Sequence, residues 1–256
     1  MSIRAALVRK PVERLDEGVA EDAVPVDVAR AEEQWTEYVD AVKGAGYEII
    51  EVPASPDHPD SVFVEDTVVV YKHHAVIANA GHPTRRGEQD GTKSVLADRG
   101  YEISEISHPA TLDGGDVLKI GDTIYVGHSG RTNAEGVSQL RAALTPAGAT
   151  VVGVPVSKVL HLKSAVTALP DGTVIGYEPN VDQPGLFPQF LALPEPHGSA
   201  VVVLSDDTVL MSTSGPENVQ TVRSLGWNVV TVNISELEKL DGCVTCLSVR
   251  LRDLPA

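Results

Sequence analysis

The residues most capable of chemistry in this 256-residue chain are Cys246, His161, Asp113 and the adjacent pair Glu65 and Asp66. Each stands in a short run that opens onto an apolar, β-rich stretch: Phe63-Val64-Glu65-Asp66-Thr67, Leu112-Asp113-Gly114-Gly115-Asp116, His161-Leu162-Lys163-Ser164 and Thr245-Cys246-Leu247-Ser248. A thiol, an imidazole and carboxylates brought to one place supply a nucleophile, an acid/base and a group that orients it. Arg85 and Arg131 occupy matching places beyond the first two of these stretches, each just ahead of the next helix. Two guanidinium forks facing one cavity suit a ligand that carries a carboxylate. Taken singly, each residue has a plainer reading. His161 can be an ordinary hydrogen-bonded histidine, Glu65-Asp66 a solvated strand start, Asp113-Gly114 a turn dipeptide, and Arg85 and Arg131 loop charges. Recurrence at equivalent places is what favours function. His73, His74 and His82 have no such support and are read as surface or loop histidines.

Cys243 and Cys246 stand in a C-x-x-C spacing, which is also a redox or half-zinc signature. A structural zinc site needs four ligands, and no second cysteine pair or paired histidines complete one. A redox pair usually sits at a helix N-terminus, whereas CVTCLSVRL reads as a strand. In a strand, positions three apart point to opposite faces. The expectation is therefore that Cys246 faces the chemistry and Cys243 belongs to the start of the strand.

The elements that must position these groups repeat. GYEIIEVP (46–53), GYEISEIS (100–107), GATVVGVP (148–155) and GWNVVTVN (226–233) each set a Gly before a β-rich run, as where a helix gives way to a strand. Helical spacing precedes them at Val28, Ala31, Trp35, Tyr38, Val39 and Val42, at Val137, Leu140 and Leu144, and at Val219, Val222 and Leu225. Two-stranded stretches cover 63–79, 112–127, 161–177 and 199–213, three of them with turn chemistry at Gly121-Asp122, Asp171-Gly172 and Asp206-Asp207. A final strand over Cys246 to Leu251 is expected to pair with Ile3 to Val8 and close a ring. The pattern predicts an α/β fold: a five-bladed α/β-propeller of mixed-sheet units with pseudo-fivefold symmetry, about 51 residues per unit. Asn180 to His197, rich in Pro and Gly, marks one atypical blade. A doubly wound sheet is the alternative. No linker divides the chain, so residues 1–256 are expected to form one catalytic domain.

Composition narrows the function classes. With 20 Lys+Arg against 36 Asp+Glu the formal charge is −16, which disfavours a nucleic-acid partner. No apolar run approaches the roughly 20 residues of a membrane span, and the first residues carry no signal-peptide pattern, so a cytoplasmic location away from membranes is expected.

At FVEDT (63–67), LDGGDV (112–117), GRTN (130–133), HLKS (161–164) and TCLS (245–248), with VDVARAE (26–32) ahead of them, the chain resembles the dimethylarginine dimethylaminohydrolases over nearly its whole length. That family belongs to the guanidine-modifying enzymes of the pentein fold, a five-bladed α/β-propeller. The resemblance implies hydrolysis of asymmetric dimethylarginine or monomethylarginine to citrulline and dimethylamine or methylamine through a covalent thiouronium. By motif, Cys246 would be the nucleophile, His161 the general acid and base, and Asp113 its partner. Glu65 and Asp66 would grip the guanidinium, with Asp60 nearby at the substrate, while Arg85 and Arg131 would hold the α-carboxylate. A mobile lid would fall near Leu15 to Val24. The implied partner is a small methylated arginine, bound by a monomer or homodimer, and no cofactor or metal is implied. The alternatives are an arginine deiminase, usually a longer chain with an added helical region, and a non-catalytic binder of arginine derivatives.

Overall fold

In a computed structural model that describes residues 4–20 and 24–252, the sequence repeat is a repeat of three-stranded sheets. The first blade joins both ends of the chain: β1 (Ala5–Val8) lies between β2 (Glu48–Glu51), parallel to it, and β15 (Val249–Leu251), antiparallel to it. The other four blades are each an antiparallel hairpin with a third strand added in parallel. They are β3 (Val68–Tyr71), β4 (His74–Ile77) and β5 (Glu102–Glu105); β6 (Val117–Ile120), β7 (Thr123–His128) and β8 (Thr150–Pro155); β9 (Thr167–Ala168), β10 (Val174–Gly176) and β11 (Phe190–Ala192); and β12 (Val201–Val203), β13 (Thr208–Ser212) and β14 (Asn228–Val232). Five separate small sheets replace the single continuous sheet of the alternative reading.

Parallel pairing requires a crossover, and helices supply it. α1 (Val28–Gly44), α2 (Gln89–Ala97) and α3 (Ala134–Leu144) serve the first three blades. After the short α4 (Leu162–Ala165), α5 (Pro216–Ser224) serves the last blade, and α6 (Ser235–Glu238) follows β14. Asp27 and Asn133 cap α1 and α3, accepting from the amides of Arg30 at 3.1 Å and Gly136 at 2.8 Å. The chain then leaves α1, α2, α3 and α5 through Gly46, Gly100, Gly148 and Gly226, with φ of 87°, 77°, 96° and 96°. Those left-handed values are why a glycine recurs before four of the five parallel strands.

The predicted helix faces are buried at Ala31, Trp35, Tyr38 and Val42, at Val137, Leu140 and Leu144, and at Val219 and Val222. Burying a side chain such as Leu140 stabilises the fold by about 1.5–3 kcal/mol. Leu225 departs from expectation: it follows the last turn of α5 and is 45% exposed. In the atypical blade two single-turn 3-10 segments stand where a helix would be, and Val181 and Phe187 fill the space instead, Phe187 lying 5.2 Å from the Tyr125 ring.

The strands β3, β6, β9, β12 and β15, one from each blade, line a central cavity of about 550 Å³. The last strand is shorter than expected. It begins at Val249, and residues 244–247 form a turn; Ile3, expected in the pairing partner, lies outside the described residues. Among the described residues no helix is long and apolar enough to cross a membrane.

Candidate active site

Each chemistry-bearing residue sits immediately ahead of an inner strand. Asp66 lies in a 3-10 turn (Val64–Thr67) before β3, Asp113 precedes a 3-10 turn (Gly114–Asp116) before β6, His161 precedes α4 before β9, and Cys246 lies in the turn before β15. Four equivalent positions in a ring place their side chains at the same end. Asp66, His161 and Cys246 line one small cavity of about 20 Å³, together with Asp60, Arg85 and Arg131. Asp113 is fully buried behind His161, with its Oδ2 3.2 Å from His161 Nε2.

The imidazole is held between carboxylates. Asp113 Oδ1 accepts from the Gly81 amide at 2.9 Å, and the Asp113 amide donates to Thr132 Oγ1 at 3.2 Å, which fixes the carboxylate that meets His161. On the other side His161 Nδ1 lies 4.0 Å from Asp66 Oδ1. Burial alone would lower the His161 pKa, but Asp66, the hydrogen bond to Asp113 and the charge of Asp116 outweigh it and push it up to about 9. Burial alone would raise Asp66, yet His161, Arg85 and the Gly115 amide hold it down to about 2. Gly115 is required by this closeness: a Cβ there would stand 2.6 Å from His161 Nδ1 and 2.7 Å from Asp66 Oδ1. The ligand atoms of Asp66, Asp113 and His161 lie within 4.8 Å of one another, spacing that a metal ion could use. Their oxygens already accept from Arg85, Gly115 and Gly81, so the cluster is organised around an imidazolium.

The two arginines differ. Arg85 is 5% exposed and every nitrogen is committed: Nη1 to Asp66 at 2.6 Å, Nε and Nη2 to Glu88 at 3.0 and 2.8 Å, and Nη2 also to backbone carbonyls of Asp60 and Phe63. Arg131 Nη1 is buried with no hydrogen-bond partner, 3.6 Å from Asp113 Oδ2. Asp60 Oδ1 and Oδ2 both accept from the Val19 amide, at 3.0 and 3.1 Å. The expected lid segment therefore meets the cavity at Val19; residues 21–23 of it lie outside the described residues. With this contact made, the cavity has room for about one water, so an amino-acid ligand enters only if the lining moves.

Glu65 is placed apart from the others. Its Oε1 lies 2.6 Å from Lys163 Nζ and 3.4 Å from Arg250 Nη2, and it lines the central cavity instead of the small one. Of the adjacent carboxylates, Asp66 alone reaches the small cavity, where Asp60 is the second carboxylate. Sequence reasoning missed Glu88, whose signal was its i,i+3 spacing from Arg85, and Asp116. Asp116 accepts from Ser129 Oγ at 2.6 Å and from the Leu162 amide at 2.9 Å, anchoring the chain just after His161.

The cysteines are corrected most. Residues 243–246 form a turn, with the Cys246 amide donating to the Cys243 carbonyl at 3.0 Å, so the two side chains do not alternate as in a strand. Their sulfurs lie 3.4 Å apart, and the Cys243 amide points at Cys246 Sγ at 3.4 Å. Sharing a hydrogen bond with Cys246 brings the Cys243 thiol down to about 7, while the same contact and burial push the Cys246 thiol up. The pair thus holds one negative charge far more readily than two.

The whole arrangement has relatives. A family model described as eukaryotic N,N dimethylarginine dimethylhydrolase matches residues 19–166. The N(G),N(G)-dimethylarginine dimethylaminohydrolase of Streptomyces coelicolor is 55% identical over 99% of each chain. A crystal structure of a dimethylarginine dimethylaminohydrolase histidine-to-glycine variant, as an adduct with S-methyl-L-thiocitrulline, superposes with a TM-score of 0.91 at 31% identity, covering 98% of this chain and all of that one. A Pseudomonas aeruginosa cysteine-to-serine variant complexed with citrulline gives a TM-score of 0.91 at 30% identity with the same coverage. With its five sheets, its cysteine-histidine-carboxylate cavity and this degree of identity, the chain belongs to the dimethylarginine dimethylaminohydrolase family.

Proposed function

We propose that the protein hydrolyses asymmetric dimethylarginine or monomethylarginine to citrulline and dimethylamine or methylamine, acting as one catalytic domain with Cys246 as nucleophile. The observation that carries this reading is the small cavity in which Cys246, a cationic His161 and Asp66 meet an arginine whose Nη1 makes no hydrogen bond.

A guanidinium is a resonance-stabilised cation and a poor electrophile, so its plane and charge must be fixed while sulfur approaches the central carbon. Asp66 and Asp60 supply the facing carboxylates on this side of the ring, and Glu65 adds negative charge from behind. Arg131 is the first candidate for the substrate α-carboxylate, because its Nη1 lacks a partner. Arg85 can join it only by exchanging one of its present bonds, and it otherwise holds Asp66 in place.

The bound guanidinium cation beside Cys246 favours its thiolate, the thiol proton leaving to solvent, and attack by that thiolate forms the S–C bond and a tetrahedral adduct. His161, protonated below about 9, gives its proton to the departing amine as the C–N bond breaks. The resulting thiouronium is hydrolysed by a water that returns a proton to His161; the S–C bond breaks and citrulline leaves. Asp113 orients the ring and stabilises its charge throughout.

Steady-state citrulline formation from dimethylarginine, monomethylarginine and arginine tests the proposal. Preference for the methylated substrates is expected. Preference for arginine makes the protein a deiminase, and saturable binding without turnover at any pH makes it a binding protein.

A further inference from the structure

Cys243 has no part in that hydrolysis, yet it touches the nucleophile. The 3.0 Å hydrogen bond from the Cys246 amide to the Cys243 carbonyl closes a four-residue turn, which keeps the two Cα atoms within about 7 Å. Disulfides span Cα separations of about 4.4–6.8 Å. The sulfurs are already in contact at 3.4 Å, with Thr245 Oγ1 3.2 Å from the Cys243 sulfur. Bringing them to the bonded distance of about 2.0 Å takes a movement of the size that side-chain torsions supply. Cys243 is half-buried, whereas Cys246 is 6% exposed, so the second thiol lies on the more open side of the first. Near neutral pH the pair readily carries one negative charge, favoured on Cys243, and passing the shared proton across the 3.4 Å contact from Cys246 to Cys243 gives the Cys246 thiolate, the form that reacts with peroxides.

We infer that Cys243 is a resolving cysteine, which captures peroxide-oxidised Cys246 as a Cys243–Cys246 disulfide and so blocks the nucleophile reversibly. The oxidant is a hydroperoxide. The Cys246 thiolate attacks one peroxide oxygen, the O–O bond breaks, and the departing oxygen takes a proton to leave as water when the oxidant is hydrogen peroxide. The sulfenic acid left on Cys246 is then attacked by the Cys243 thiolate: the S–S bond forms, the S–O bond breaks, and the hydroxide leaves with a proton as a second water. Two thiols are oxidised by two electrons and one peroxide is reduced by two. A dithiol reverses the bridge by exchange. Capture also keeps Cys246 from the further, irreversible steps to sulfinic and sulfonic acid. That the bridge stops turnover rests on the function proposed above; that it forms does not.

The reduced full-length protein, treated with hydrogen peroxide, alkylated and weighed intact, provides the test. The expected product has lost two hydrogen atoms, takes up no alkyl group at either cysteine, and yields a Cys243–Cys246 bridged peptide in a non-reducing digest. Citrulline formation falls at least about tenfold in step with the bridge and returns with dithiothreitol. Cys243→Ser and Cys243→Ala, each compared with its own untreated sample, form no intrachain bridge. Under the same sustained dose they accumulate sulfinic or sulfonic acid on Cys246 that dithiothreitol does not repair. Oxygen gained on wild-type Cys246 without a bridge, or both cysteines still alkylatable after inactivation, overturns the inference. Because the bridge is read by mass, a reduced protein that never forms citrulline would strike the functional reading and leave this result standing.

Discussion

Glu65 and Asp66 are consecutive residues of one turn, and they look into different cavities. Asp66 faces a cavity of about 20 Å³ shared with His161 and Cys246. Glu65 faces about 550 Å³ along the centre of the ring, among Lys119, Lys163, Arg250 and Arg252. The larger cavity has volume for a ligand, and neither cysteine nor histidine lines it. The smaller holds a nucleophile, an imidazolium and a cation with an open bond. Size therefore does not mark the reactive end of this ring; the charge on His161 and the Arg131 nitrogen without a hydrogen bond do. The two ends also titrate in opposite senses. Carboxylates raise His161 on one side, while crowding by protein and the cations Lys163, Arg250 and Arg252 lower Lys119 towards about 7 on the other. Lys119 is exposed to the wide cavity, so water screens part of that effect.

The comparison breaks most sharply at the nucleophile. Cys246→Ser should reduce turnover by on the order of 10³-fold or more with substrate binding retained, because a hydroxyl is a far weaker nucleophile than a thiolate. Asp66→Asn should approach that loss in kcat, while Glu65→Gln, at the other cavity, should cost at least about tenfold less. Equal losses would return Glu65 to the guanidinium.

Next come the arginines. Arg131→Ala should raise KM for dimethylarginine by about 10- to 100-fold, the size of a charge-assisted bond, and change little for a decarboxylated analogue. Arg85→Ala strands the buried Asp66 and Glu88 and should lower stability by about 3–5 kcal/mol in denaturant titration. A KM effect at Arg85 without loss of stability would place it with Arg131.

The pH dependence sharpens the contrast further. His161 rises from 6.5 to about 9 on folding, so its contribution to stability is complete below 6.5 and is lost as pH climbs through 9. That is about 3 kcal/mol, absent in His161→Asn, and kcat/KM should fall on an alkaline limb near 9. Lys119 runs the other way: its folded pKa lies below 10.5, so its charge weighs most against the fold at low pH. Lys119→Met should raise Tm slightly at pH 6, less at pH 10, and leave kcat within about twofold.

Much of this architecture was legible because a glycine marks four of the five blades and helix period three of them. Gly46, Gly100, Gly148 and Gly226 stand out in sequence for the same reason they stand out in space, namely that only they take the left-handed exit from a helix cheaply. The positions of Asp66, Asp113, His161 and Cys246 ahead of inner strands follow from that register. What the repeat does not reveal is direction within a turn. Successive residues of a 3-10 turn point about a third of a circle apart, so Glu65 and Asp66 part company although their letters are adjacent. Cys243 misled through composition: Val244 and Leu247 look like strand, yet the segment is pinned as a turn, with the Ser248 hydroxyl 2.7 Å from Tyr38 Oη. Long-range partners such as Thr132 for Asp113 leave no local trace at all.

The first blade is stitched from both ends of the chain, β15 pairing with β1 across more than two hundred residues. Such a contact has the highest closure cost among the described sheets, because the chain between its two strands is the longest. The turn carrying Cys246 precedes β15 directly, so the thiol gains its neighbours only when the ring shuts. Without that pairing the carboxylates and the imidazole would stand without their sulfur. The pairing that closes the ring is thus also the one that seats the sulfur.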